Sequence, residues 1–207
     1  MRTPACAWAS RSGRRPAAGF TLAELLGAIL IVVLLIVLIV PAHKSLRQGI
    51  ERRQAAADCR MLVQAALQFR QVYGAWPLQD RMTPLGEIVF ADASLSLPMS
   101  LDPSNIVAVL RGADAQANPR GTVFLRIPED RLDRERFLDP WGRPYLLMLD
   151  ADGKSYVNLP TIVDPQGSGA PLLVGQTVRE SAVALSLGDP RDARDANQRT
   201  VVSWREP

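Results

Sequence analysis

Few residues of this 207-residue chain have the types and spacing that chemistry requires. The only histidine is His43 and the only cysteines are Cys6 and Cys59, which removes most nucleophile–base pairs and Cys/His metal sites. We therefore expect no enzymatic activity. Acidic residues are the remaining candidates. They occur as one glutamate inside an apolar run and as aspartates in loops near positions 150 and 190.

Glu24 is the only ionisable residue between Phe20 and Val40, a run of 21 residues. As a helix this run would be ~31 Å long, about the thickness of the hydrocarbon core of a bilayer. A charge at that depth costs on the order of 3 kcal/mol, so we expect it to have a partner. Cleavage after Gly19 would give Phe20 a free α-amino group, and this cation of one copy would pair with Glu24 of a neighbouring copy.

The stretch Gly19-Phe20-Thr21-Leu22-Ala23-Glu24-Leu25 resembles the prepilin signal of type IV pilins and type II secretion pseudopilins. The resemblance implies cleavage after Gly19 by a prepilin peptidase, methylation of Phe20, and a role for Glu24 in filament assembly. Pro41 stands where that family often has a helix-kinking proline. An ordinary signal anchor with a chance glutamate is the alternative interpretation.

We predict four parts of the chain: a cleaved prepilin leader (1–19), a transmembrane helix (20–40), its amphipathic continuation (41–73) and a pilin-like periplasmic or extracellular head (74–207). The predicted fold class is α+β, with a long N-terminal helix packed on a small antiparallel sheet. An apolar stripe at spacings of three and four supports the helical continuation; it consists of Cys59, Leu62, Ala66, Phe69 and Tyr73. Gly74 and Pro77 then end the helix.

The positive charge of the chain belongs to its leader. The net charge is +3, from 24 basic and 21 acidic residues, and the leader holds four arginines and no acid. Without them 20 basic residues face 21 acidic ones, a net charge of −1. The positive-inside rule then predicts a single-pass protein of the bacterial inner membrane, with a cytoplasmic N-terminus and a periplasmic head, and a filament after assembly. A head without net positive charge argues against a nucleic-acid partner.

Several short elements are predicted in the head. The helix Asn105–Arg111 would begin at Ser104 as N-cap and end at Gly112. Strands are expected at residues 122–127, 145–150, 155–159 and 179–187. The segment Asp139–Tyr145 is similar to one that leads into the sheet of the major pseudopilin. Asp150–Lys154 predicts a hairpin turn, although Asp-x-Asp-Gly also begins calcium loops; Thr161 stands where such a loop needs glutamate.

The C-terminal acidic loop is similar to the calcium loop of major type II pseudopilins. The resemblance implies Ca²⁺ as a candidate cofactor, with side-chain ligands from Asp189, Asp192 and Asp195 and a carbonyl ligand from Leu187. The sequence departs from that family at Pro190, where a glycine is usual, and three arginines are interleaved with the acids: Arg191, Arg194 and Arg199. A salt-bridged, solvated loop without metal is the alternative.

The function that these features predict is a structural subunit of a type II secretion pseudopilus or a type IV pilus-like filament. The resemblance implies as partners other copies of the chain, minor pilins or pseudopilins, the prepilin peptidase, an inner-membrane assembly platform and membrane lipid. The competing class is a single-pass, membrane-anchored periplasmic binding domain that does not polymerise.

Overall fold

The computed structural model describes residues 21–84, 86–95, 97, 99–164, 171–172, 175–192 and 196–205. The predicted cleavage and methylation residues, Gly19 and Phe20, lie outside these ranges, as does the candidate calcium ligand Asp195. The chain divides into two compact units, Met1–Leu46 and Arg47–Pro207.

The described residues form three helices: α1 (Leu22–Tyr73), α2 (Pro103–Leu110) and α3 (Ala196–Arg199). Short 3-10 turns occur at Gln79–Arg81, Ala93–Leu95 and Glu129–Arg131. The strands are β1 (Glu87–Phe90), β2 (Leu132–Asp133), β3 (Arg136–Phe137), β4 (Leu146–Asp150), β5 (Val157–Asn158), β6 (Ile162–Val163), β7 (Pro171–Leu172), β8 (Thr177–Val178), β9 (Ala182–Ser186) and β10 (Val201–Val202). The protein is therefore α+β, as predicted.

The main sheet has the strand order β1-β4-β9-β10, and every pairing in it is antiparallel. Its central strands β4 and β9 are buried at every position, because both faces of the sheet are covered. On one face Leu147, Leu149 and Ala184 pack with α1. On the other face Leu146 and Met148 pack with residues of β5, β6 and β8. Strands covered on both faces appear in a sequence as continuous apolar runs.

The predicted apolar stripe of α1 lies in the core of the second unit. Cys59, Leu62, Ala66 and Phe69 are all nearly or fully buried there. The helix ends at Tyr73, the predicted last residue. Gly74 follows with φ +73°, a left-handed conformation that glycine adopts without steric cost.

Three local predictions need correction. Helix α2 begins two residues earlier than predicted, and its N-cap is Asp102, whose carboxylate accepts from the Ser104 amide with Pro103 in the first turn. Residues 122–127 form no strand; instead the Phe124 and Leu125 amides both donate to the Leu110 carbonyl. Strand β5 pairs with β8 rather than forming a hairpin with β4.

Strand β1 was not predicted at all. It pairs with β4 along its whole length, and each of its residues is buried. The signal that could have found it is the run Ile88-Val89-Phe90, although three residues are too few for periodicity to separate strand from helix.

The predicted localisation is wrong. A membrane span needs about 20 consecutive, predominantly apolar residues in one helix. Among the residues that the structure describes, no helix combines the required length with the required apolarity. This finding overturns the single-pass inner-membrane placement with a cytoplasmic N-terminus and a periplasmic head.

Candidate functional site

The first turns of α1 carry a continuous surface of exposed apolar side chains, which we call the apolar surface. Twelve large aliphatic residues between Leu22 and Val37 are 49–77% exposed. They are Leu22, Leu25, Leu26, Ile29, Leu30, Ile31, Val32, Val33, Leu34, Leu35, Ile36 and Val37. Because nine consecutive positions, Ile29–Val37, are apolar and exposed, the surface covers every side of the helix rather than one stripe. Contiguous exposed apolar area of this kind marks an interaction site.

Glu24, the predicted assembly residue, lies within the apolar surface and is bonded to Thr21. The Thr21 amide and hydroxyl both donate to Glu24 Oε2 at 3.0 Å, and the Glu24 amide donates back to the Thr21 hydroxyl at 3.2 Å. This reciprocal pattern is a capping box, which satisfies amide groups at a helix N-terminus. The hydrogen bonds from the Thr21 amide and then from its hydroxyl lower the pKa of Glu24, so the carboxylate is ionised at neutral pH.

Pro41, the predicted kink position, lies inside α1, which continues from Leu22 to Tyr73. A proline inside a helix removes one backbone donor and favours a bend. The bend itself stays a prediction.

Three of the four candidate calcium residues, Leu187, Asp189 and Asp192, are described in the C-terminal loop, and their role as ligands stays a prediction. Asp189 Oδ1 accepts from the Arg191 amide at 2.9 Å, and the Asp192 amide donates to the Asp189 carbonyl at 3.2 Å. Leu187 is buried. Across the described ranges, which omit Asp195, no group of three acidic, histidine or cysteine residues is arranged to hold a metal ion.

A buried ionic cluster lies at the base of this loop instead. Arg143 forms a bidentate pair with Asp164, with Nη2–Oδ1 and Nη1–Oδ2 distances of 2.7 Å and 3.0 Å. Arg199 Nη2 donates to Asp164 Oδ2 at 3.0 Å. Asp164 is fully buried, and both arginines are less than one-tenth exposed. We call Arg143, Asp164 and Arg199 the arginine clamp.

Asp139 extends the arginine clamp toward the sheet. Its Oδ1 accepts from the Arg143 amide at 2.8 Å, and its Oδ2 accepts from the Ser186 hydroxyl at 2.6 Å. The same Ser186 oxygen accepts from the Gly188 amide at 3.0 Å. Burial raises the pKa of Asp139, although these bonds and the nearby Arg143 oppose the rise.

A second buried cluster joins α1 to the sheet. Asp58 Oδ2 accepts from Arg131 Nη2 at 2.6 Å and from the Tyr145 hydroxyl at 2.7 Å. Burial, and then the bond to Asp58, raise the pKa of Tyr145, so its hydroxyl remains a donor. Trp141 is half-buried, and its indole donates to Glu51 of α1 at 3.2 Å. The role of Asp58 was not identified from the sequence.

A cleft of about 440 Å³ lies where α1 ends. Its wall includes Tyr73, Trp76, Arg81 and Asp114. The Trp76 indole donates to the Asp150 carbonyl, so it is held in place by the sheet. The volume lies within the range of small-molecule sites.

Sequence reasoning missed the members of the arginine clamp for an identifiable reason. Arg199 has the spacing of a solvated loop residue, and Asp164 lies in a Gly/Pro-rich segment without periodicity. Asp139, which is bonded to the clamp but is not part of it, did carry a signal in its Asp-Pro-x-Gly turn, where the Gly142 amide donates to the Asp139 carbonyl at 3.0 Å.

Comparison of the chain with protein-family models, with curated proteins and with solved structures finds no match.

Proposed function

We propose that the chain is a structural subunit of a type II secretion pseudopilus or a related type IV pilus-like filament. In this proposal the chain is cut after Gly19 and methylated on Phe20, and the α1 helices of neighbouring copies pack against one another through the apolar surface. The pilin-like arrangement of a long N-terminal helix and a small antiparallel sheet belongs to the same proposal.

The observation that carries the proposal is the exposure of the apolar surface on every side of α1. A single apolar stripe would suit one partner helix, whereas a helix that is apolar all round needs neighbours on several sides. Burying one Val, Leu or Ile side chain contributes about 1.5–3 kcal/mol, so twelve such residues provide a large driving force for bundling. The occupant that we propose is a second copy, because it supplies both an identical helix and a cation for Glu24.

Glu24 has two roles that can be separated. Within one copy it completes the capping box with Thr21. Between copies its ionised carboxylate would pair with the α-amino group of Phe20 created by cleavage. Glutamine serves a capping box as well as glutamate does, but it cannot neutralise an amine.

The test is therefore a comparison of Glu24→Gln with Thr21→Ala, each made in the full chain and produced together with a prepilin peptidase. The wild-type chain is expected to begin at methylated Phe20 by mass spectrometry and to form sedimentable filaments visible by electron microscopy. Glu24→Gln should be processed normally but should lose at least about tenfold in sedimentable material, since it lacks the charge. Thr21→Ala, which loses only the cap, should still assemble.

Either of two results would reject the proposal. One is a mature chain that still begins at Met1. The other is a Glu24→Gln variant that assembles as the wild type does, which would leave Glu24 with its capping role alone.

A binding domain that does not polymerise is the second candidate function, and the cleft beside Tyr73 and Trp76 favours it. A binding domain predicts a monodisperse monomer in sedimentation velocity after cleavage. It also predicts that a small molecule binds in this cleft and that the Trp76→Ala variant no longer binds it. The filament subunit predicts a concentration-dependent shift to large species under the same conditions.

A further inference from the structure

We infer that the C-terminal loop between β9 and β10 is closed by the arginine clamp, with the chain's own guanidinium groups in place of a calcium ion. The described part of the loop therefore reaches its folded conformation without metal. This inference does not depend on the proposed function, since it concerns contacts within one copy.

The first support is where the two guanidinium groups point. Besides binding Asp164, Arg143 Nη1 donates to the Gly188 carbonyl at 3.4 Å, and Arg199 Nη1 donates to the Pro190 carbonyl at 3.5 Å. Carboxylate and backbone carbonyl oxygens are the ligands that calcium takes in proteins. Here oxygens of both kinds already face fixed positive charges.

The second support is electrostatic. The buried Asp164 carboxylate is bonded by the guanidinium groups of both Arg143 and Arg199, and the buried Asp139 carboxylate accepts from the Arg143 amide. A divalent cation brought to this base would meet two guanidinium groups that cannot lose their protons. Asp189 Oδ1 is meanwhile bonded to the Arg191 amide. The described residues of the loop therefore do not suit Ca²⁺, in contrast to what the resemblance implied.

The third support is the close contact of the two ends of the loop. Gly188 has φ +73°, and a Cβ atom added there would overlap the Arg199 carbonyl. The strands on either side are in register, with Val201 opposite Ser186. Backbone contact at Gly188 thus places Arg199 where its side chain can reach Asp164, which closes the loop at its base.

The experiment measures thermal unfolding of the full chain in detergent solution by near-UV circular dichroism, with EGTA or with millimolar calcium. We expect the wild-type Tm to differ by less than about 1 °C between the two conditions, since carboxylate and carbonyl oxygens at the described base of the loop are already bonded by guanidinium groups. Arg199→Gln should lower the Tm by roughly 10 °C, because it removes a guanidinium group that is bonded to the buried Asp164 carboxylate. The Tm of Arg199→Lys should lie between those of the wild type and Arg199→Gln, since lysine keeps the charge but lacks the planar guanidinium group.

The matched control is Arg191→Gln, which removes an exposed arginine from the same loop and should change the Tm by less than about 1 °C. A wild-type Tm that rises by several degrees with calcium would overturn the inference, as would an Arg199→Gln variant as stable as the control. If Arg199→Gln fails to fold, the wild-type chain is titrated with calcium by isothermal calorimetry. Heat of calcium binding at micromolar affinity would overturn the inference, and a titration without such heat would support it.

Discussion

One guanidinium group, that of Arg136, joins two carboxylates from separate parts of the head. Its Nη1 donates to Asp92 Oδ2 at 3.1 Å and its Nη2 donates to Asp102 Oδ2 at 2.8 Å. Bonds from Ser94 lower the pKa of Asp92, and Arg136 adds to that effect. For Asp102, partial burial opposes the change, but bonds from Ser104 and from Arg136 outweigh it and lower the pKa.

The sign of the resulting pH dependence follows from these lowered pKa values. A carboxyl group whose pKa is lower in the folded state stabilises the fold above its ordinary value of 3.8, and this contribution is lost as the pH falls through the folded value. We therefore predict that Arg136→Gln lowers the free energy of unfolding by roughly 1 kcal/mol at pH 7. It should also weaken the loss of stability below pH 3.8, as measured by urea unfolding across pH.

The control for this prediction is Arg81→Gln. Arg81 pairs with its neighbour Asp80, but both side chains are more than half exposed, so we expect a change below about 0.5 kcal/mol and an unaltered pH profile. Asp139, whose raised pKa gives the opposite slope, is present in every variant and cancels in the comparison. Equal profiles for Arg136→Gln and the wild type would mean that Arg136 does not hold the two carboxylates.

Among the connections between secondary-structure elements, the one from β9 to β10 depends on a single glycine, Gly188. Two constraints meet there: a left-handed backbone, and contact with the Arg199 carbonyl that leaves no room for a side chain. Gly153 has a similar φ of +79°, but no described atom lies within 4 Å of an added Cβ. Alanine substitutions at Gly153 and Gly188 therefore distinguish the cost of a left-handed backbone, present at both positions, from the cost of steric overlap, present only at Gly188.

We predict that Gly153→Ala lowers the free energy of unfolding by about 1 kcal/mol, the cost of a left-handed alanine. Gly188→Ala should lower it by roughly 3 kcal/mol, since overpacking adds to the same strain. Urea unfolding of both variants measures the difference. Equal values would show that the two ends of the loop are not in contact, and would remove one support for the arginine clamp.

The two units of the chain differ in what their apolar residues do, and this is a property of the whole molecule. In Arg47–Pro207 the apolar stripe of α1 is buried in the core, as at Leu62, which is 2% exposed. In Met1–Leu46 those of Leu30 and Val33 are 69% and 51% exposed. Substitutions in the two units should therefore have different consequences.

We predict that the double variant Leu30→Gln and Val33→Gln leaves the free energy of unfolding of the head within about 0.5 kcal/mol of wild type, because no core contact is removed. It should reduce the association of cleaved chains, measured by sedimentation velocity. Leu62→Ala is the matched control: it should lower the head's stability by about 3 kcal/mol. If the double glutamine variant destabilised the head, Leu30 and Val33 would have to contribute to its core, and the prediction would be wrong.

Local patterns in the amino-acid sequence were sufficient for part of this fold. The stripe from Cys59 to Phe69 and the end of α1 at Tyr73 follow from helical periodicity and a glycine stop, which act within a few residues. The α+β class and strands β4 and β9 were accessible in the same way.

Pairing between distant residues was decided by the tertiary structure alone. Arg199 and Asp164 are 35 positions apart, and Tyr145 and Asp58 are 87 apart. No periodicity links such residues, and an arginine spaced like a solvated residue turns inward only because a buried carboxylate is there to receive it. The sequence could therefore predict where the C-terminal loop lies, but only the packed sheet and loop determine that guanidinium groups close it.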